Sequence, residues 1–227
     1  MATITIDPSS TVADISAALA ALEDPKARAI NERHGDDHGV NLTRLRAIAK
    51  QLKRNPALAR ELWETGGSPE RLVALLISGP KDYSAAELES MLRDARIPKV
   101  RDWLVNYIVK KSPHAEELRL AWFADSDPEI AGSGWALTTD CVSKRPEVLD
   151  LVGLLDQIEA EMPTAPEGLQ WAMNECLANI GIHHAELRAR AIDIGERLQV
   201  LADYPTPPGC TSPFAPIWIT AMVARQK

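Results

Sequence analysis

Asp102 and Asn106 lie four residues apart in the stretch "KVRDWLVNYIV", residues 99–109, and Trp103 stands beside Asp102. A carboxylate can hold a developing positive charge. An amide of the same shape can hydrogen-bond but cannot neutralise, and an indole can cover a planar group. Val100, Leu104, Tyr107 and Ile108 recur at spacings of three and four, which predicts a helix with these residues on its apolar face. On that helix Asp102 and Asn106 stand one turn apart, at the flank of the face. The segment is either a pocket wall or a core helix with a polar edge, and its own residues do not decide between them.

Other reactive side chains are less organised. His34, Asp36, Asp37 and His38 in "HGDDHG" are metal-ligand types, but they sit at a helix end beside glycines and lack an H-E-x-x-H scaffold. His183 and His184 in "GIHHAE" read as a helix-joining turn. There is no G-x-S-x-G, P-loop or dinucleotide fingerprint. Cys141, Cys176 and Cys210 are odd in number and far apart, which excludes a disulfide framework or zinc spacing. Cys210 in "PPGCTS" reads as an inert thiol in a packed loop. No metal and no cofactor is expected.

Trp171 in "LQWAMNECLANIG" lies off the centre of an apolar stripe made by Leu169, Ala172, Met173, Cys176, Leu177 and Ile180. It reads either as a spacer between helix layers or as a platform for a planar group. Trp103, Trp122 and Trp135 carry the same two readings, with Trp122 in "LRLAWFAD" the most core-like.

The formal net charge of -7 excludes a uniformly basic nucleic-acid binder. The basic residues are nevertheless bunched: Lys26, Arg28, Arg33, Arg44, Arg46, Lys50, Lys53, Arg54 and Arg60 fall in one stretch, whereas Glu147–Glu175 is dominated by Asp and Glu. A cationic face on an acidic protein therefore remains open. "MATITIDPSS" has neither a basic n-region nor an apolar h-region, and no apolar run reaches membrane-span length. "NLT" at Asn41–Thr43 is a glycosylation sequon in form only. The expectation is a cytoplasmic protein, a monomer, without a membrane segment.

The elements that must position these residues are helices. Ser10–Leu22 is Ala-rich with Ser or Thr as cap. "DPKARAINERHG" and "NPALARELWETGG" open on Asp-Pro and Asn-Pro, and "SPERLVALLISG" offers Ser68 as cap with Pro69 after it. "NLTRLRAIAKQLKRN" puts Leu42, Leu45, Ile48, Ala49 and Leu52 on one stripe and Arg and Lys on the other. About a dozen helices follow one another through short Pro-, Asp-, Ser- and Gly-marked loops, which predicts antiparallel pairs of about 40 residues. The predicted class is all-α, an α-α superhelix or HEAT/armadillo-like irregular solenoid, as a single domain over residues 1–227. A compact bundle is the alternative. "DYPTPPGCTSPFAPIWI" is too Pro-rich for a long helix and apolar enough to pack, so residues 203–227 are expected to cap the same domain, with Trp218 anchoring a short last helix near Ile217–Val223.

Several of these phrases, in order, resemble one family. "HGVNLTRLRAIAKQLKRNPALARELWETG", "LRLAWFADSDPEIAGSGWALTTDCV" and "LQWAMNECLANIG" are similar to the bacterial DNA alkylation repair protein family, the AlkD-like DNA glycosylases built from HEAT-like helix pairs. The resemblance spans about Asp36 to Ile194. It implies excision of positively charged 3- and 7-alkylpurines without drawing the base into a pocket. It also implies an Asp that stabilises an oxocarbenium-like sugar, with two tryptophans and an arginine lining the cleft. Residue by residue, one tryptophan falls on Trp171. The Asp falls on Asn106. The partner tryptophan falls on Asp102, with Trp103 adjacent. The arginine falls near Gly132 or Ser133, in a stretch with no arginine between Arg119 and Arg145.

The resemblance thus implies a former or divergent catalytic wall. Asn106 cannot supply the charge. Asp102, one turn away, would carry a carboxylate about 6 Å along the axis, and about 1 Å of misplacement can cost a hundredfold. The expected function is binding of double-stranded DNA in a concave cationic groove, with weak, altered or lost N-glycosylase activity. The groove residues are Trp103, Trp171, Arg44, Arg46, Lys50, Lys53, Lys110 and Lys111, joined by Lys99, Arg101, Arg188 and Arg190. An active glycosylase using Asp102 and a silent scaffold for a protein partner are the rival expectations.

Overall fold

The computed structural model describes residues 6–226, so residues 1–5 of "MATITIDPSS" lie outside the described part. Among the described residues the structure is all-α, with thirteen α-helices and no strand. It forms two compact units, 1–115 and 116–227.

The first unit holds α1 (Val12–Ala21), α2 (Pro25–Glu32), α3 (Leu42–Leu52), α4 (Pro56–Glu64), α5 (Ser68–Ile77), α6 (Ala85–Asp94) and α7 (Pro98–Trp103). Local chemistry sets most of the starts. Thr11 and Asp14 form a reciprocal capping box on α1, as do Ser84 and Glu87 on α6. Asp24, Asn41 and Asn55 cap α2, α3 and α4, with Pro at the first helical position of α2 and α4. One expected cap is displaced: Ser68 is already inside α5, buried, and Gly67 is the cap residue, without a side-chain bond. α5 is the hub of this unit. Leu72, Val73, Ala74, Leu75 and Ile77 are all buried, and the helix packs against α1, α3, α4 and α7. Arg71 enters this core because its guanidinium is fully engaged: it donates to the Trp63 and Asp94 carbonyls, pairs with the Asp94 carboxylate and lies 4.7 Å over the Trp63 ring.

The second unit holds nearly all of α8 (Ala115–Phe123), then α9 (Pro128–Lys144), α10 (Leu151–Glu161), α11 (Glu167–His183), α12 (Arg188–Leu198) and α13 (Ala215–Arg225). α11 is its centre, packed against α9, α12 and α13. Trp122 and Trp135 are fully buried, so the core reading holds for both. Gly134 is required where α9 meets α8: a Cβ there would stand 2.3 Å from the Phe123 amide nitrogen. The Pro-rich stretch packs only in its second half: residues 203–210 are exposed, Cys210 among them rather than in a packed loop, and burial sets in from Thr211 onward. Asn174 of α11 donates to the Pro213 carbonyl at 2.8 Å, and the final helix is longer than Ile217–Val223, reaching Arg225.

Candidate nucleic-acid interface

The opening stretch is not one regular helix. α7 ends at Trp103. Leu104–Ile108 is a π-helical turn, in which the Val109 amide reaches back five residues to the Leu104 carbonyl, and Val109–Lys111 closes as a 3-10 turn. π-turns inside helices are frequent at functional sites. Val100, Leu104 and Ile108 are buried as the periodicity predicts, and Asp102 and Asn106 both reach the surface. The packed wall around Asp102 removes part of its hydration and holds its carboxyl above the ordinary carboxylate range, against the opposing pull of Arg101 and Lys99.

Trp103 is only 9% exposed. Its ring meets Tyr107 at 5.0 Å, and the Arg46 guanidinium lies over it at 5.4 Å. An indole covered in this way has little free face for a base, so its contribution to a surface passes through Arg46.

α3 carries the basic face. Arg46 and Lys50, four residues apart, stand within about 40° of one another around the axis, and Lys53 follows at the exit of the helix. All three are exposed, and none has a carboxylate partner among the described residues. Arg44 is exposed too, but two residues from Arg46 it points about 160° away and is not brought into the stripe. Lys53 is the residue after α3 and takes φ 59°, ψ -169°, a conformation favoured by glycine. Lys110 is half-buried and Lys111 exposed in the 3-10 turn. Lys99 is not a free cation: its ammonium lies 2.7 Å from the buried Asp36 carboxylate.

That pair belongs to a cluster which sequence spacing gives no sign of. The loop after α2 folds back onto the start of α7, where Gly35 (φ 79°) faces Pro98. Asp36 and His38 are almost wholly buried, at 3% and 2% exposure. The His38 Nδ1 accepts from the Val40 amide at 3.1 Å, while its Nε2 and the Asp36 Oδ1 have no hydrogen-bond partner among the described residues. Burial holds the His38 imidazole below its ordinary pKa, so it is neutral at pH 7. Among the described residues no group of three or more His, Cys, Asp or Glu is placed to hold a metal ion.

In the second unit Trp171 stands exposed on α11, with Tyr204 edge-on at 5.0 Å. Of the two candidate arginine positions, Ser133 is buried and bonded to the Glu129 carbonyl, whereas a Cβ on Gly132 would meet nothing within 4 Å. Arg188 and Arg190 are engaged locally, the first on the Gly181 and Ile182 carbonyls, the second on Asp156 and Glu159.

No curated protein matches the sequence. A solved structure is similar over 96% of this chain and 95% of its own, with a TM-score of 0.74 and 21% identity. It is described as "a new family of proteins related to the HEAT-like repeat DNA glycosylases with affinity for branched DNA structures". That likeness establishes the fold as the HEAT-like repeat helical one. The family model for the DNA alkylation repair enzyme matches residues 15–218, nearly the whole chain, and the chain therefore belongs to the DNA alkylation repair enzyme family.

Proposed function

We propose that this protein binds DNA through the α3 stripe of its first unit, and that its N-glycosylase activity is weak or lost. The observation that carries the reading is the state of three cations. Arg46 and Lys50 on one flank of α3 and Lys53 at its exit are all exposed, with no carboxylate partner among the described residues, on a protein whose net charge is -7. An acidic protein that leaves one basic row unpaired has a field suited to a run of phosphates. The π-turn sets Asn106 at the surface in the same unit, where a neutral amide cannot stabilise a cationic sugar. The structural relative's affinity for branched DNA makes branched DNA the favoured substrate form here.

A second reading keeps the enzyme active through Asp102. Its raised carboxyl pKa favours this, since perturbed groups gather at working sites. Fluorescence anisotropy with a duplex and a four-way junction, over a salt series, tests the binding reading. Affinity should fall steeply with salt, and Lys50→Glu with Lys53→Glu should flatten the slope by about two. Binding that ignores salt, or none at low salt, would favour a protein partner instead.

A further inference from the structure

A cleft of about 270 Å³ opens in the second unit between Trp171 of α11, Tyr204 and Pro207 of the Pro-rich stretch, and Trp218 of α13. Thr206 and Thr211 add hydroxyls to its wall, and among the described residues no charged side chain lines it. The wall is fixed from both sides. Prolines at 205, 207, 208 and 213 restrict the stretch, and Asn174 ties it to α11 one turn beyond Trp171. Two large rings are nevertheless left to water: Trp171 is 36% exposed and Tyr204 46%.

Arg225 marks one edge. Its guanidinium donates to the Thr211 hydroxyl at 3.1 Å, and no carboxylate pairs with it among the described residues. The unit's other arginines are engaged: Arg119 and Arg145 on Glu116, Arg190 and Arg197 on Glu159, Arg188 on backbone carbonyls. Aromatic walls with one free cation at the edge are complementary to a flat group that carries an anion. A cationic ligand would meet Arg225 at the edge and no carboxylate among the described residues that line the cleft. Pockets for drug-sized ligands run from about 300 to 1,000 Å³, so this smaller one suits a single planar heterocycle.

We propose that this cleft takes one unstacked nucleobase of DNA, stacked on Trp171 and Tyr204, with Arg225 on the adjoining phosphate. This goes beyond the α3 stripe, which reads phosphates in the other unit and needs no free base. A branch point or gap exposes such a base, so the cleft supplies a reason to prefer such DNA over intact duplex.

The test titrates a thymidine tetranucleotide into the protein and follows the indole N–H signals of the six tryptophans by NMR. The Trp171 and Trp218 signals should shift, while those of the buried Trp122 and Trp135 should stay and report an intact fold. Trp171→Ala and Tyr204→Ala should each weaken binding about 5- to 100-fold. Trp171→Phe should retain most of it, and Arg225→Gln should lower both affinity and salt dependence. Lys50→Glu with Lys53→Glu should weaken duplex binding and flatten its salt dependence yet leave the tetranucleotide affinity within about twofold, which separates the two proposals. Tetranucleotide binding that survives Trp171→Ala, or no shift of these signals at millimolar tetranucleotide, would overturn the inference. So would a proline-rich peptide that occupies the cleft while the tetranucleotide does not.

Discussion

The Arg46 guanidinium rests 5.4 Å above the ring of Trp103, a residue 57 positions later in the chain. The indole thereby holds a cation at the surface without itself being exposed. Arg46→Lys keeps the charge and loses the flat contact, which contributes about 0.5–1 kcal/mol at an exposed site. DNA affinity should drop roughly two- to fivefold with an unchanged salt slope. Arg46→Ala should lower the slope itself by about one. Anisotropy titrations at several salt concentrations distinguish the two outcomes.

Lys53 occupies a glycine-favoured conformation at the exit of α3. Lys53→Gly should therefore raise stability by about 1 kcal/mol, as relief of backbone strain outweighs the entropy of a new glycine. The same change should weaken DNA binding. Urea denaturation and a DNA titration of one variant check both signs. A variant that is destabilised would show that the conformation carries no strain.

His38 gives the fold a pH dependence. Its folded pKa lies below the unfolded value of about 6.5, so the unfolded chain binds the proton more readily. Stability should be level above neutrality and should fall as the pH drops through about 6.5 toward the depressed folded value. His38→Gln should lower the plateau and flatten this part of the profile. Urea midpoints from pH 8 to pH 5 provide the measurement, and an unchanged slope in the variant would assign the effect to another group.

Release of 7-methylguanine from methylated duplex DNA should be slow or undetectable in the wild type. Positioned charges of the expected kind contribute about 10²–10³ each. Asn106→Asp alone should recover measurable release if only the carboxylate is missing. If the arginine is needed as well, Gly132→Arg must be added, and the effects should be non-additive. Gly132 has the room for it, whereas Ser133→Arg should unfold the protein, because Ser133 is buried. Robust wild-type release that disappears in Asp102→Asn would establish the Asp102 reading instead.

The sequence by itself determined most of the helices, most of their caps and the family, although Ser68 lies inside α5 rather than capping it. Asp24-Pro25, Asn41, Asn55-Pro56 and the Thr11 and Ser84 boxes act within one turn, so their bonds can be read from neighbours in the chain. The buried stripe of α3 is legible for the same reason. Only the tertiary structure decided which polar groups meet. Helical spacing sets Arg44 and Arg46 on opposite flanks of α3, but only the packing decides that the Arg46 flank meets Trp103. The Asp36–Lys99 pair and the Trp171–Tyr204 contact join residues 63 and 33 positions apart. The π-turn at Leu104–Ile108 is likewise invisible to a 3.6-residue periodicity, since its apolar residues still fall inward. Burial and pairing at these positions depend on which helix packs against which, and that is set by the summed fit of the cores rather than by any one stretch of chain.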